Sequence, residues 1–210
     1  MILFEWLGDL IPGLWVSIQL TVASLLIGLP GGVLLALAVM SPSSVIKWLG
    51  LLIVEAGRAT PALVVLYLVY FGLPETGLSL SSFASAVIAL AFATAAYTSE
   101  IFRAGIAGIP QGQLEAGTAL ALTPRSQLFR IILPQAIRNV IPPLLGWCII
   151  LFQGTALAYA IGVRELMARA YNSGTITFQF WDVIVLAGVL YAVICIPLSR
   201  LVSRLEARVR

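Results

Sequence analysis

Four polar constellations interrupt a chain that is 60% hydrophobic and only 10% charged. Glu55 and Arg58 stand three apart, as do Glu100 and Arg103. On a helix that spacing puts both partners of each pair on one face. Charges inside apolar segments are costly and tend to face a bundle interior or a cavity. Read with the second and third apolar runs, both pairs fall near the cytoplasmic ends, where arginine snorkels. They are either interfacial ion pairs or the lining of a polar pathway. In Arg58-Ala59-Thr60-Pro61, Pro61 supplies no N–H and frees a carbonyl of the preceding turn. Such breaks at membrane depth line cavities and mark substrate sites, although a packing kink explains the same residues equally well. Gln153-Gly154-Thr155 offers an amide and a hydroxyl around a glycine that permits close approach or a local break. These groups either bond between helices or contact a polar solute. The candidate pathway residues are therefore Arg58, Thr60, Glu100, Gln153 and Thr155.

The absences narrow the chemistry further. The chain has no histidine, and its single lysine, Lys47, precedes a tryptophan. A phosphate-binding G-x-x-x-x-G-K-[ST] loop and an H-E-x-x-H zinc motif are both impossible. Serine–histidine and serine–lysine nucleophile systems fail for the same reason. Cys148 and Cys195 sit in apolar runs and read as small buried hydrophobes. No catalytic set, no metal site and no cofactor site is expected in this chain. If it moves a solute uphill, the energy comes from a partner or an ion gradient. With a net charge of +3 and arginines distributed along the whole chain, nothing points to a nucleic acid.

These residues need elements to hold them. A soluble domain carries about 25% charged residues, so 10% leaves too little polar surface for water. The mean hydropathy is +1.05. Spanning helices of roughly 20 residues are expected, and the alternating pattern of a membrane barrel is missing. Five spans are read: Ile11–Met40, Trp48–Leu73, Phe83–Ile106, Pro134–Ile161 and Trp181–Leu201. The first is long enough to bend at Leu29-Pro30-Gly31-Gly32, and Gly28 with Gly32 predicts close helix packing. The first apolar run is too long, and its leader too acidic, for a cleavable signal. Placing the C-terminus in the cytoplasm puts most arginines and Lys47 on the inner side, leaving only Arg164 and Arg169 outside. The positive-inside rule favours that orientation, with the N-terminus outside.

Between the third and fourth spans, residues 107–133 form an amphipathic interruption bracketed by Pro110 and Pro134. The segment Glu115–Leu122 predicts a short helix rich in small residues. It lacks the bulky anchors and basic face of a helix that lies on lipid, so it suits a docking surface for another protein.

Glu115-Ala116-Gly117, Ala121 and Ile131-Ile132-Leu133-Pro134 resemble the EAA loop of bacterial ABC importer permeases. The flanking Ala96-Tyr97-Thr98-Ser99-Glu100-Ile101-Phe102-Arg103, Ile109-Pro110-Gln111-Gly112-Gln113, Ile141-Pro142-Pro143 and Arg58-Ala59-Thr60-Pro61 are similar to the polar amino-acid branch. That branch is the histidine/glutamine/arginine/glutamate type. The likeness covers nearly the whole chain. It implies an all-α integral membrane protein of the bacterial inner membrane, with five transmembrane helices, the type I ABC importer permease fold and a cytoplasmic coupling helix. It also implies two ATPase subunits that bind ATP and Mg, and a second permease subunit, identical or paralogous. A periplasmic or lipid-anchored amino-acid-binding protein completes the set. Gln113, Glu115, Ala116, Gly117, Ala121 and Arg125 become the ATPase-coupling residues. Two departures stand out. The family usually has Ala at the place of Gly117 and Gly at the place of Ala121. It often has Lys-Asp where Gln153-Gly154 stand, and the local sequence is closer to glutamate/aspartate permeases. The expected substrate is a polar or acidic amino acid, glutamate and aspartate among them. The alternative is an ion-coupled secondary transporter or channel, which leaves the EAA-like loop unexplained.

Overall fold

The computed structural model describes residues 2–209, and every regular element among them is helical. In chain order these are α1 (Ile2–Val39), α2 (Ser44–Ala59), α3 (Ala62–Tyr67), a π-helical turn (Leu68–Gly72), α4 (Leu73–Glu75) and α5 (Ser82–Ala107). Then come α6 (Gln111–Ala119), α7 (Pro124–Gln127), a second π-helical turn (Leu128–Ile132) and α8 (Leu133–Gly154). A 3-10 segment (Thr155–Ile161), α9 (Leu166–Thr177) and α10 (Phe180–Val209) complete the chain.

The core is α5. Alanines, serines and threonines fill much of its buried surface, among them Ala86, Ala89, Thr94, Ala96 and Thr98. Small residues let neighbouring backbones come close, which is how helices gain contact where lipid offers no hydrophobic drive. The α1 helix uses this: a Cβ on Gly28 would lie 2.6 Å from Thr94, and one on Gly32 would collide with the Thr98 hydroxyl. The glycine pair thus acts as a packing seam. The expected bend at Pro30 does not interrupt α1, which continues through both Pro12 and Pro30. One missing backbone bond is tolerated when the helix is clamped along its length.

The second span departs most from expectation. Instead of one helix from Trp48 to Leu73, two arms meet at 105° at Thr60-Pro61. Pro61 cannot donate to the preceding turn, and Thr60 is extended (ψ 128°) as the residue before a proline prefers. Four helices are long and apolar enough to cross a membrane, and five spans result when the bent pair counts as one.

Contacts fix which ends lie together. Gly28 meets Thr94 and Gly32 meets Thr98, so α1 and α5 run parallel. Gly105 meets Val140 while Trp147 meets Thr94, so α8 runs antiparallel to α5. Tyr191 reaches Glu165 beside the start of α9, and Val183 packs with Leu10. The start of α10 therefore lies at the same end as the start of α1. Residues 107–133 and the end of α10, with Arg200 and Arg204, share the opposite end. Large apolar side chains such as Trp15, Leu26, Leu34, Leu52 and Val193 cover the outside, a surface suited to hydrocarbon rather than water.

Candidate functional site

The break at Thr60-Pro61 sets Arg58 against the core. Gly57, the residue before it, is buried so tightly that a Cβ would lie 2.6 Å from Ala96. Arg58 therefore stands beside Tyr97, with its guanidinium carbon 5.9 Å from the ring centroid. The Tyr97 hydroxyl donates to the Arg58 carbonyl at 3.4 Å. Tyr97 also stacks on Trp147, at 4.4 Å and 18° between planes. Trp147 Nε1 donates to Thr94 Oγ1 at 3.2 Å. Tyr97 and Trp147 thus form a stacked two-ring platform, and the partly exposed Arg58 guanidinium lies beside its tyrosine as a cation on a ring face. Tyr97 lies ten residues before the end of α5, about 15 Å along the axis at 1.5 Å per residue. Arg58 is thus set well back from the end of the bundle that residues 107–133 occupy.

Glu100 follows Tyr97 by one turn. It holds Arg103 through two hydrogen bonds, 3.2 and 2.6 Å, and lines a groove of about 640 Å³ with Asn139 and Pro143. The Glu55 carboxylate is 3.6 Å from Arg58 and largely exposed. Of the four charges, Arg58 is the one whose partner is held loosely. Thr60 is half-buried at the break. Thr155 is fully buried, and its hydroxyl is spent on the Phe152 carbonyl at 2.7 Å. Gln153 is exposed beyond Trp147 on α8. The structure thus unites Arg58, Thr60 and Glu100 and leaves Gln153 and Thr155 apart from them. Sequence reading did not single out Tyr97 or Trp147; large aromatics with polar tips amid small or apolar residues were the available signal.

At the far end of the same bundle lies α6. Gln113, Glu115 and Ala116 are exposed on it, as is Arg125 on α7. Gly117 is buried: a Cβ there would meet Gln127 and Ile131 at 3.1 Å. Its role is to let α6 rest on the chain that follows, and it does not belong to the exposed face. The helix closes with paired bonds, Ala121 N–H to the Thr118 carbonyl (2.9 Å) and Leu122 N–H to the Gly117 carbonyl (3.1 Å). This Schellman closure demands a left-handed residue, and Ala121 supplies it with φ 53°.

One further cluster was not anticipated. Glu165 is fully buried. Its carboxylate caps α9 by accepting from Met167 and Ala168 N–H at 2.8 and 2.7 Å. It also accepts from Ser17 on α1 (3.3 Å) and Tyr191 on α10 (3.2 Å). Burial pushes its pKa above the usual carboxylate value, and the four donors oppose the rise.

Residues 28–210 match the family described as binding-protein-dependent transport system inner membrane component. The chain belongs to this family. It is 34% identical to the arginine transport system permease protein ArtQ of Bacillus subtilis, over 96% of this chain and 92% of the relative. It is 35% identical to the glutamate/aspartate import permease protein GltK of Escherichia coli O157:H7, over 98% of each. A solved structure described as an amino acid ABC transporter with histidines superposes with a TM-score of 0.93 at 32% identity, covering 98% of this chain and 96% of the other. The permease is therefore a membrane transport subunit and not an enzyme, and its all-helical fold is that of type I ABC importer permeases.

Proposed function

We propose that this permease carries polar, acidic amino acids into the cell as one half of the translocation path of an ATP-driven importer. Its N-terminus lies outside and its C-terminus in the cytoplasm. The observation that carries the substrate reading is the platform at mid-depth. Glu100 is already neutralised by Arg103 through two bonds, so it has little charge to offer a cation. Arg58 is the available charge, since its contact to Glu55 is 3.6 Å, and the fork of a guanidinium matches a carboxylate. Thr60 and the exposed Gln153 add neutral hydrogen-bonding groups along the path, and Thr155 holds the turn after α8.

Two cytoplasmic ATPase subunits, holding ATP and Mg, grip α6 through Gln113, Glu115 and Ala116, with Arg125 beside them. Gly117 and Ala121 shape the helix they grip. A second permease subunit closes the path, and a periplasmic or lipid-anchored binding protein delivers the amino acid. ATP-driven closure of the ATPases pulls both coupling helices together and opens the path outward; hydrolysis resets it. The substrate shifts this equilibrium only by binding the two states differently.

Reconstitution in vesicles tests the reading. L-Glutamate uptake should require ATP and all partner subunits. Arg58→Gln should raise the half-saturating concentration about 10-fold or more, because a charge-assisted hydrogen bond contributes about 1.5–3 kcal/mol. Arg58→Lys should lose less. Uptake that persists without the ATPase, driven by an ion gradient, would instead support a secondary transporter.

A further inference from the structure

Arg164 and Arg169 stand on the side that the positive-inside rule leaves poor in arginine. Arg169 is paired locally, while its buried Nε has no hydrogen-bond partner among the described residues. Its guanidinium is 3.1 Å from Asp9 Oδ1, it donates to the Asp9 carbonyl at 3.3 Å, and Ser173 holds the other carboxylate oxygen. Arg164 has no ion pair among the described residues. It is exposed, and it borders a recess of about 540 Å³ between the start of α1, the 3-10 segment and α9. The recess size is that of a small-molecule site. Tyr159, Tyr171, Asn172 and Thr175 present polar groups around it.

The mount of Arg164 is rigid. Two residues before it, Gly162 turns the chain with φ 82°. One residue after it, Glu165 is bonded to α1, α9 and α10. The backbone that carries Arg164 is held between these two points, which keeps its charge at the edge of the recess. The charged groups facing the recess are Asp9, Arg164 and Arg169, and the first and last neutralise each other. The remaining charge is a single guanidinium, whose fork matches a carboxylate.

We propose that this recess is a receiving site at the outer mouth, where Arg164 binds the carboxylate of the amino acid before it moves to mid-depth. The proposal rests on the amino-acid import and the orientation argued above. It is separate from the Arg58 platform, since Asp9 lies about 19 residues of helix before Gly28, the α1 residue that packs on Thr94, or about 28 Å along the axis. A concave, small recess suits a free amino acid better than the broad face of a docking protein.

The test uses the complete transporter with its ATPase and binding protein in vesicles. L-Glutamate, L-glutamine and L-arginine are the probes, all of which carry the same α-carboxylate. Arg164→Gln should raise the half-saturating concentration about 10-fold for whichever probe is transported. Maximal rate should change little, and Arg164→Lys should restore most of the loss. Affinity of the vesicle-embedded transporter for the binding protein should not change. Wild-type half-saturation in Arg164→Gln overturns the proposal. So does a loss confined to binding-protein affinity, which would make the recess a docking surface. Failure of the mid-depth reading shows separately, as an Arg58→Gln variant that transports normally.

Discussion

The permease carries a short helix at each end of its bundle, and the two are held in opposite ways. At one end α9 is tied to the body by a fully buried carboxylate that bonds α1, α9 and α10, and by the Asp9–Arg169 pair. At the other, α6 presents most of its residues to the surroundings and buries only Gly117. Its side-chain ties are few, with the Gln127 amide donating to the Thr118 hydroxyl at 3.2 Å. The difference teaches where force enters. On the proposed function, the helix that a partner pulls keeps its exposed face free, whereas the helix at the opposite end is fastened to the frame.

The comparison is broken most severely at Glu165. Glu165→Ala removes an N-cap and strands Ser17 and Tyr191, so the purified transporter should lose about 2–4 kcal/mol against denaturant. Glu115→Ala on the exposed helix should leave stability within about 0.5 kcal/mol and lower ATP-coupled uptake instead. The raised pKa of Glu165 sets a pH dependence. The native state binds this proton more tightly than the unfolded chain, so its contribution falls as pH rises from the ordinary carboxylate value of 4.5 through the raised native value. Thermal unfolding across that window should decline in the wild type and lose this component in Glu165→Gln.

A middle-sized effect belongs to Gly117. Gly117→Leu forces a side chain against Gln127 and Ile131 and should cost about 1–3 kcal/mol. Proteolysis in the 107–133 segment should rise while the remainder of the permease keeps its protection. The smallest effect is a gain. Ala121→Gly relieves a left-handed alanine, at about 1 kcal/mol, and should slow cleavage in the same segment without altering α9.

Much of this was legible in the residues. Low charge and long apolar runs announced a helical membrane protein, Gly28 and Gly32 announced a tight seam, and the small residues after Glu115 announced a short helix. The sharpness of the second-span break was not legible. A proline at residue 61 says that a bond is lost, but the 105° angle depends on how α2 and α3 each pack on α5. The placing of Arg58 over Tyr97 was not legible either, because the two are 39 residues apart and meet only through the packing of α2 on α5. Glu165 was invisible as a hub because its partners lie 148 residues before it and 26 after it. Gly117 was expected on the docking face, and only the fold shows that it turns inward.

The central claim is that the 107–133 end meets the ATPase while the α9 end faces outward. Cysteine cross-linking tests it directly, in a background with Cys148 and Cys195 replaced by alanine. Gln113→Cys should cross-link to a cysteine on the ATPase subunit and resist a membrane-impermeant thiol reagent added outside intact cells. Arg164→Cys should react with that reagent and form no ATPase cross-link. Outside labelling at position 113, or an ATPase cross-link at position 164, would contradict the account.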